Sequence, residues 1–276
     1  MDRRKKRKGS KGDFFGNLLL LVALVVFCFS AYKLVTIWQE YRVGEKEYEQ
    51  LQSYVRYDKP NKAVDEKKQE ESQPIEETPA LQEEAKTPVY PPEPAVDWGG
   101  LLEVNEDVIG WIDMSGIGIA YPIAKGEDND FYLHHTIEKT YNFAGSIFMD
   151  YNNIGNWQEC NSIIYGHNMK NQSMFGKLKK YRNQETYDKS PYFWISTPEG
   201  NHLYQIFSVY NTDESSDTYT FFSDTGAEFE NWIQRMAAQS EIKTNVAVSG
   251  QDKVITLSTC TSSDTVRCVV LAKMIK

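Results

Sequence analysis

Lys253 to Cys260 reads K-V-I-T-L-S-T-C. Its β-branched residues predict a strand, and its last residue brings a thiol to the end of that strand. Six residues, Thr261 to Val266, then separate the cysteine from Arg267, which opens a second apolar run through Met274. If the two runs pair as a hairpin, Cys260 and Arg267 stand side by side at one rim. A permanent cation beside a thiol favours the thiolate and offers donors to a developing oxyanion. The plainer alternative is an inert buried Cys260 and a solvated Arg267.

Working outward, Asn161 to Tyr165 predicts another strand, followed by Gly166-His167-Asn168-Met169. A histidine just past a strand end can reach a neighbouring rim as general acid and base. His134 and His135, beside the apolar Phe131 to Leu133, and His202, beside Gly200 and Asn201, read more simply as structural. Cys28, Cys160, Cys260 and Cys268 contain no C-x-x-C pair, and no His/Cys/Asp set has metal-ligand spacing, so no metal or other cofactor is expected. Asp128-Asn129-Asp130 lacks the glycine and distal glutamate of a calcium loop and reads as a turn.

Further strands are predicted at Gly110 to Met114, Ile117 to Ile123, Gly145 to Met149, Tyr192 to Ser196 and Leu203 to Tyr210. A short helix is expected to open the domain around Trp98 to Asn105. Two later stretches read as helical: Ser173 to Tyr181, and Ala227 to Ala238, where Phe229, Trp232, Ile233 and Met236 keep i, i+3, i+4, i+7 spacing. Many short strands, few helices and no βαβ alternation predict a mainly β fold, a predominantly antiparallel barrel or sandwich.

The chain has 276 residues, with 30 Lys+Arg against 39 Asp+Glu and a net charge of -9. That balance argues against nucleic acid as a partner, because phosphate binding needs a basic face. The one basic block is N-terminal: Arg3 to Lys11, within an expected cytoplasmic tail at 1–13. Phe14 to Tyr32 is then 19 residues without a charge, and the apolar character persists to Trp38. Residues 14–38 are expected to form an uncleaved transmembrane anchor, with the N-terminus inside and the rest of the chain extracellular. Tyr41, Tyr48, Leu51 and Val55 suggest a juxtamembrane stalk helix over 39–57. Residues 58–95, rich in Pro, Glu and Lys, read as a disordered tether ahead of a globular domain at 96–276.

T-L-S-T-C at Thr256 to Cys260 followed by Arg267, with Y-G-H-N-M at Tyr165 to Met169, resembles the sortases, specifically class B. N-D-F-Y-L at Asn129 to Leu133, G-S-I-F-M-D-Y at Gly145 to Tyr151 and M-F-G-x-L at Met174 to Leu178 extend the resemblance over nearly all of 96–276. It implies an eight-stranded sortase-type β-barrel with a few helices, one of them (Ala227 to Ala238) ahead of the cysteine strand. It also implies a membrane-bound cysteine transpeptidase that cuts the C-terminal sorting signal, of a Pro-x-Thr type, from secreted proteins through a thioester. The acceptor would be an amine of peptidoglycan or of a pilin.

By that resemblance Cys260 is the nucleophile, His167 the acid/base and Arg267 the group that stabilises the oxyanion. Asn129, Leu133, Ser258, Thr259 and Tyr219 fall where the family contacts its peptide, in a groove expected between Asn129 to Leu133 and the loop Asp217 to Asp224. The chain carries Thr261 and Ser262 after the cysteine, where some relatives have an acid, so an acidic third member of the site is not expected nearby. A class C-like pilin-polymerising sortase and a non-catalytic tethered binding module are the alternatives.

Overall fold

The computed structural model describes residues 11–57, 88–261 and 265–276. Most of the basic tail, most of the tether, and the expected Ser262 and Asp264 neighbours of the cysteine lie outside the described residues, as does the side chain of Cys260.

Helix α1, Lys11–Leu51, runs without interruption for 41 residues. At 1.5 Å per residue that is about 60 Å, roughly twice the thickness of a bilayer's hydrocarbon core. Among the described residues it is the one helix long and apolar enough to cross a membrane. Leu18 to Trp38 present their large side chains outward, as a lipid-facing segment requires.

The chain divides into two compact units, and the second begins at Glu47, not at 96 as the sequence suggested. Strand β1 (Val55–Tyr57) pairs antiparallel with β2 (Pro94–Val96). Tyr48 is buried, its hydroxyl donating to the Gly145 carbonyl at 2.9 Å and lying 3.2 Å from Ser146 Oγ. Leu51 is buried as well, and Glu47 accepts the backbone N–H of Glu138. The expected stalk over 39–57 is thus corrected: it is the end of α1 followed by a short strand, because its apolar residues have partners in the domain. The tether is shortened in the same way. Trp194 Nε1 donates to the Pro91 carbonyl and Asn201 Nδ2 to that of Pro94, so the prolines, which lack an N–H, serve as acceptors.

After α2 (Trp98–Val104), capped by the Asp97 side chain, come β3 (Val108–Met114) and β4 (Ile119–Lys125). Then follow the single turn α3 (Phe131–His134), β5 (Ile147–Met149), β6 (Asn161–Tyr165), α4 (Gln184–Lys189), β7 (Tyr192–Thr197) and β8 (Gly200–Asp213). Helix α5 (Ala227–Ala238), β9 (Val254–Cys260) and β10 (Val266–Met274) complete the chain. The eight strands from β3 onward close a barrel in the order β10-β8-β7-β3-β4-β5-β6-β9. All neighbours are antiparallel except β4 with β5 and β6 with β9. A parallel pair needs a long crossover. The crossover from β4 to β5 is the segment that carries Asn129 and Leu133.

Helix α5 buries Phe229, Trp232, Ile233 and Met236 against Phe207, Tyr210, Val254, Val269 and Leu271. Each such side chain contributes about 1.5–3 kcal/mol on leaving water. Glu228 and Glu230 in its first turn suit the positive end of the helix dipole. The helix expected over Ser173 to Tyr181 is not there; a 3₁₀ turn spans Leu178–Arg182. Met174, Phe175, Leu178 and Tyr181 are buried at the spacing that suggested it. However, Gln172 and Met174 take left-handed backbone angles (φ 64° and 51°), and the Phe175 N–H is drawn to the His167 carbonyl at 3.0 Å. Gln172 lies just before the expected helix and Met174 within it, and a right-handed helix cannot pass through a left-handed residue.

Candidate active site

Two pairings of β9 build the site. In the hairpin with β10, Cys260 stands opposite Arg267 in register, and Thr259 opposite Cys268. In the parallel pairing with β6, Ser258 stands opposite Tyr165, and Gly166 N–H donates to the Ser258 carbonyl. The ends of both partner strands therefore converge on the cysteine. Gly166 is required between β6 and His167: a Cβ there would lie 2.8 Å from Phe175 Cγ and closer still to Ile147.

A pocket of about 260 Å³ opens at this rim, lined by Asn129, Leu133, His167, Ser258, Thr259 and Arg267, with Phe148, Tyr165 and Gly166. It gathers six of the eight residues singled out in the sequence. A seventh, Tyr219, does not line it but is linked to it, its hydroxyl 2.8 Å from Ser258 Oγ. For Cys260, the register with Arg267 fixes the backbone at the same rim.

His167 Nε2 lies 2.8 Å from the Leu133 carbonyl. A carbonyl only accepts, so Nε2 carries the proton and Nδ1 is left with the lone pair. Burial pushes the His167 pKa below its ordinary 6.5, the Leu133 carbonyl opposes this, and His134 adds to the depression. The rings of His134 and His167 are 6.4 Å apart. His134, read from the sequence as structural, thus borders the site, whereas His135 is stacked on Phe131 with ring centroids 4.1 Å apart.

Arg267 Nη2 donates to Glu214 Oε2, and the Arg267 side chain is 21% exposed, so the guanidinium is held at the rim. Glu214 follows the last residue of β8, its N–H bonded to the Thr265 carbonyl. No pattern in the sequence marked it. Asp150, buried at 4% exposure, was also missed although it sits in the quoted G-S-I-F-M-D-Y. Its Oδ2 accepts from Asn129 Nδ2 and from the Tyr165 hydroxyl, both at 2.9 Å. Asn129 is accordingly a brace as well as a lining residue, since its Oδ1 accepts the Tyr151 N–H. Burial, with Asp150 second, pushes the Tyr165 pKa up, so this hydroxyl stays a donor. In the loop before α5, Phe222 packs on Phe229 and Trp232 and caps the core, and Trp232 Nε1 anchors the loop through the Asp217 carbonyl at 2.7 Å.

A closed eight-stranded mixed barrel with few helices is the sortase fold. The sortase domain family matches residues 112–275, and the chain belongs to the sortase family, whose activity class is cysteine transpeptidation. Its relatives are of class B. Sortase B of Listeria monocytogenes is 35% identical over 252 residues, covering 90% of each chain. The crystal structure of Bacillus anthracis sortase B with AAEK1 superposes with a TM-score of 0.67 at 28% identity, over 87% of this chain and all of that one. A Staphylococcus aureus sortase B–substrate complex gives 0.60 at 33% identity, over 64% and 84%.

Proposed function

We propose that this chain removes the C-terminal sorting signal from secreted proteins and joins the shortened protein to an amine of the cell wall. The observation that carries the proposal is the register pairing of Cys260 with Arg267 at a rim that His167 shares. In it, Nδ1 of His167 takes the proton as the Cys260 sulfur bonds to the carbonyl carbon of the scissile peptide bond. Arg267 donates to the oxygen of the tetrahedral intermediate. The leaving amine takes the proton from His167, and a thioester remains. Leu133, Phe148 and Tyr165 give the pocket an apolar wall that suits a Pro-x-Thr type segment, while Ser258, Thr259 and Asn129 supply polar atoms. Tyr219 acts through Ser258.

The likeness to a sortase B crystallised with substrate supports this use of the pocket. The basic residues ahead of α1 support a cytoplasmic N-terminus and an extracellular domain. The test is product partition. Full chain in detergent, a Pro-x-Thr sorting peptide and a wall-peptide amine should yield an amide-linked adduct, with none from Cys260→Ala or His167→Ala. Release of free acid alone at every amine concentration would make the enzyme a hydrolase. Absence of both products, with a Cys260 thiol inert to alkylation, would make it a binding module.

A further inference from the structure

The turn that carries Leu133 is laced to one neighbouring loop. The Tyr132 carbonyl accepts the Ser146 N–H, the His134 carbonyl the Asn142 N–H and the His135 carbonyl the Ser146 hydroxyl, each at 2.8 Å. All these donors belong to the loop Asn142 to Ser146. The Leu133 carbonyl lies among the three in sequence and accepts instead from His167 Nε2. Gly145 packs against it with no room for a Cβ. The loop Asn142 to Ser146 therefore aims the carbonyl that holds the His167 ring.

That loop is held in turn by the last turn of α1. Tyr48, 6% exposed, donates its hydroxyl to the Gly145 carbonyl at 2.9 Å and lies 3.2 Å from Ser146 Oγ. Its ring also meets that of Tyr121 edge to face, with centroids 5.2 Å apart. The Tyr121 hydroxyl accepts the Met174 N–H at 3.2 Å, and the next residue, Phe175, donates its N–H to the His167 carbonyl at 3.0 Å. One side chain thus supports both the loop that orients the His167 ring and the turn that holds the His167 backbone. Glu47, which accepts the Glu138 N–H at 2.9 Å, and the buried Leu51 fix the end of α1 on either side of Tyr48.

We propose that Tyr48 is a positioning residue for His167, so that the end of the membrane helix forms part of the support of the active site. The inference rests on the transpeptidase reading, in which His167 moves the proton, and deepens it. An imidazole held at Nε2 presents Nδ1 in one direction, and proton transfer falls steeply when such a group is misplaced. Tyr48 touches none of the reacting atoms. It acts by keeping the Leu133 carbonyl and the Met174 turn in place.

The test uses the full chain in detergent, at a temperature where circular dichroism shows each variant folded. Tyr48→Phe removes the hydroxyl and keeps the ring on Tyr121. It should lower kcat for a Pro-x-Thr sorting peptide about tenfold, the scale of one lost hydrogen bond, and leave KM near the parental value. The Leu133 carbonyl raises the pKa of His167, so loosening it should also move the His167 titration, followed by NMR, to lower pH. His134, Tyr165 and Arg267 share the rim with His167, and Tyr48→Phe alters none of them. Tyr48→Leu, which gives up the ring contact as well, should lose more kcat; if it fails to fold, Tyr48→Phe decides. Parental kcat in Tyr48→Phe, or a lowered kcat with an unmoved His167 titration, would overturn the proposal alone. Failure of the parent to form any thioester would overturn the transpeptidase reading, and the His167 titration in Tyr48→Phe would then decide the positioning role by itself.

Discussion

Arg267 is held by Glu214, a carboxylate from the end of β8, the strand that flanks β10 on the side away from the cysteine strand. The guanidinium is therefore oriented by a residue distant in sequence from Cys260. Arg267→Ala should slow peptide turnover roughly a hundred- to thousand-fold, the cost of an oxyanion donor. Glu214→Gln should lower kcat by about tenfold, the loss of one charge-assisted hydrogen bond. It should leave KM and the unfolding temperature near parental values, because Glu214 is a positioning residue at an exposed rim. Turnover equal to the parent would release Glu214 from that role.

The depressed pKa of His167 fixes a pH dependence. Its folded value lies below 6.5, so the folded chain binds fewer protons than the unfolded one in the window below 6.5. Its contribution to stability is present above that value and is lost as pH falls through it. The same protonation removes the base, so the acid limb of kcat/KM should lie below pH 6.5, and an NMR titration of His167 should follow it. A limb at or above 6.5 that tracks His167 would contradict the burial.

Gly145 ties the fold to that titration. Its φ is 56°, and a Cβ there would lie 2.6 Å from the Tyr132 carbonyl and closer still to that of Leu133. Gly145→Ala should cost about 1–3 kcal/mol of stability. It should also displace the Leu133 carbonyl from His167, and since that carbonyl raises the pKa of His167, the acid limb should move to lower pH. Loss of stability with an unmoved limb would separate the two.

Trp232→Ala should cost about 3–5 kcal/mol in urea unfolding, as a large core truncation does. It also removes the donor that ties the Asp217 carbonyl to α5, leaving only the local bonds from Thr220, so peptide KM should rise through Tyr219 and Ser258. Phe221, at 41% exposure in the same loop, should tolerate alanine within about 0.5 kcal/mol.

For the anchor, protease added to intact protoplasts should remove the domain. Full protection would reverse the proposed orientation.

Much of the barrel was legible because its strands carry β-branched and aromatic runs between turn residues, and α5 because four large side chains share one face. The Cys260–Arg267 register followed from a short loop alone. Other features left no periodic trace. Glu214 and Asp150 are single carboxylates whose partners are far off in the chain. Tyr48 read as stalk because its partners, Gly145 and Ser146, lie far off in the chain. The spacing of Met174 to Tyr181 was sound, but the left-handed Met174 uses it for a turn. The parallel pairings were invisible, since a strand's own sequence does not state its neighbour's direction.

The parallel pairing of β6 with β9 also sets an order of events. Tyr165 and Ser258 can meet only after β7, β8 and α5 have been made, because those elements lie between them in the chain, and closing so long a loop costs entropy before the pairing rewards it. Until then His167 and Cys260 are strangers on an open chain. A polypeptide threaded through a membrane unfolded would carry an ordinary thiol across, and the β6–β9 seam would arm it only once it had formed.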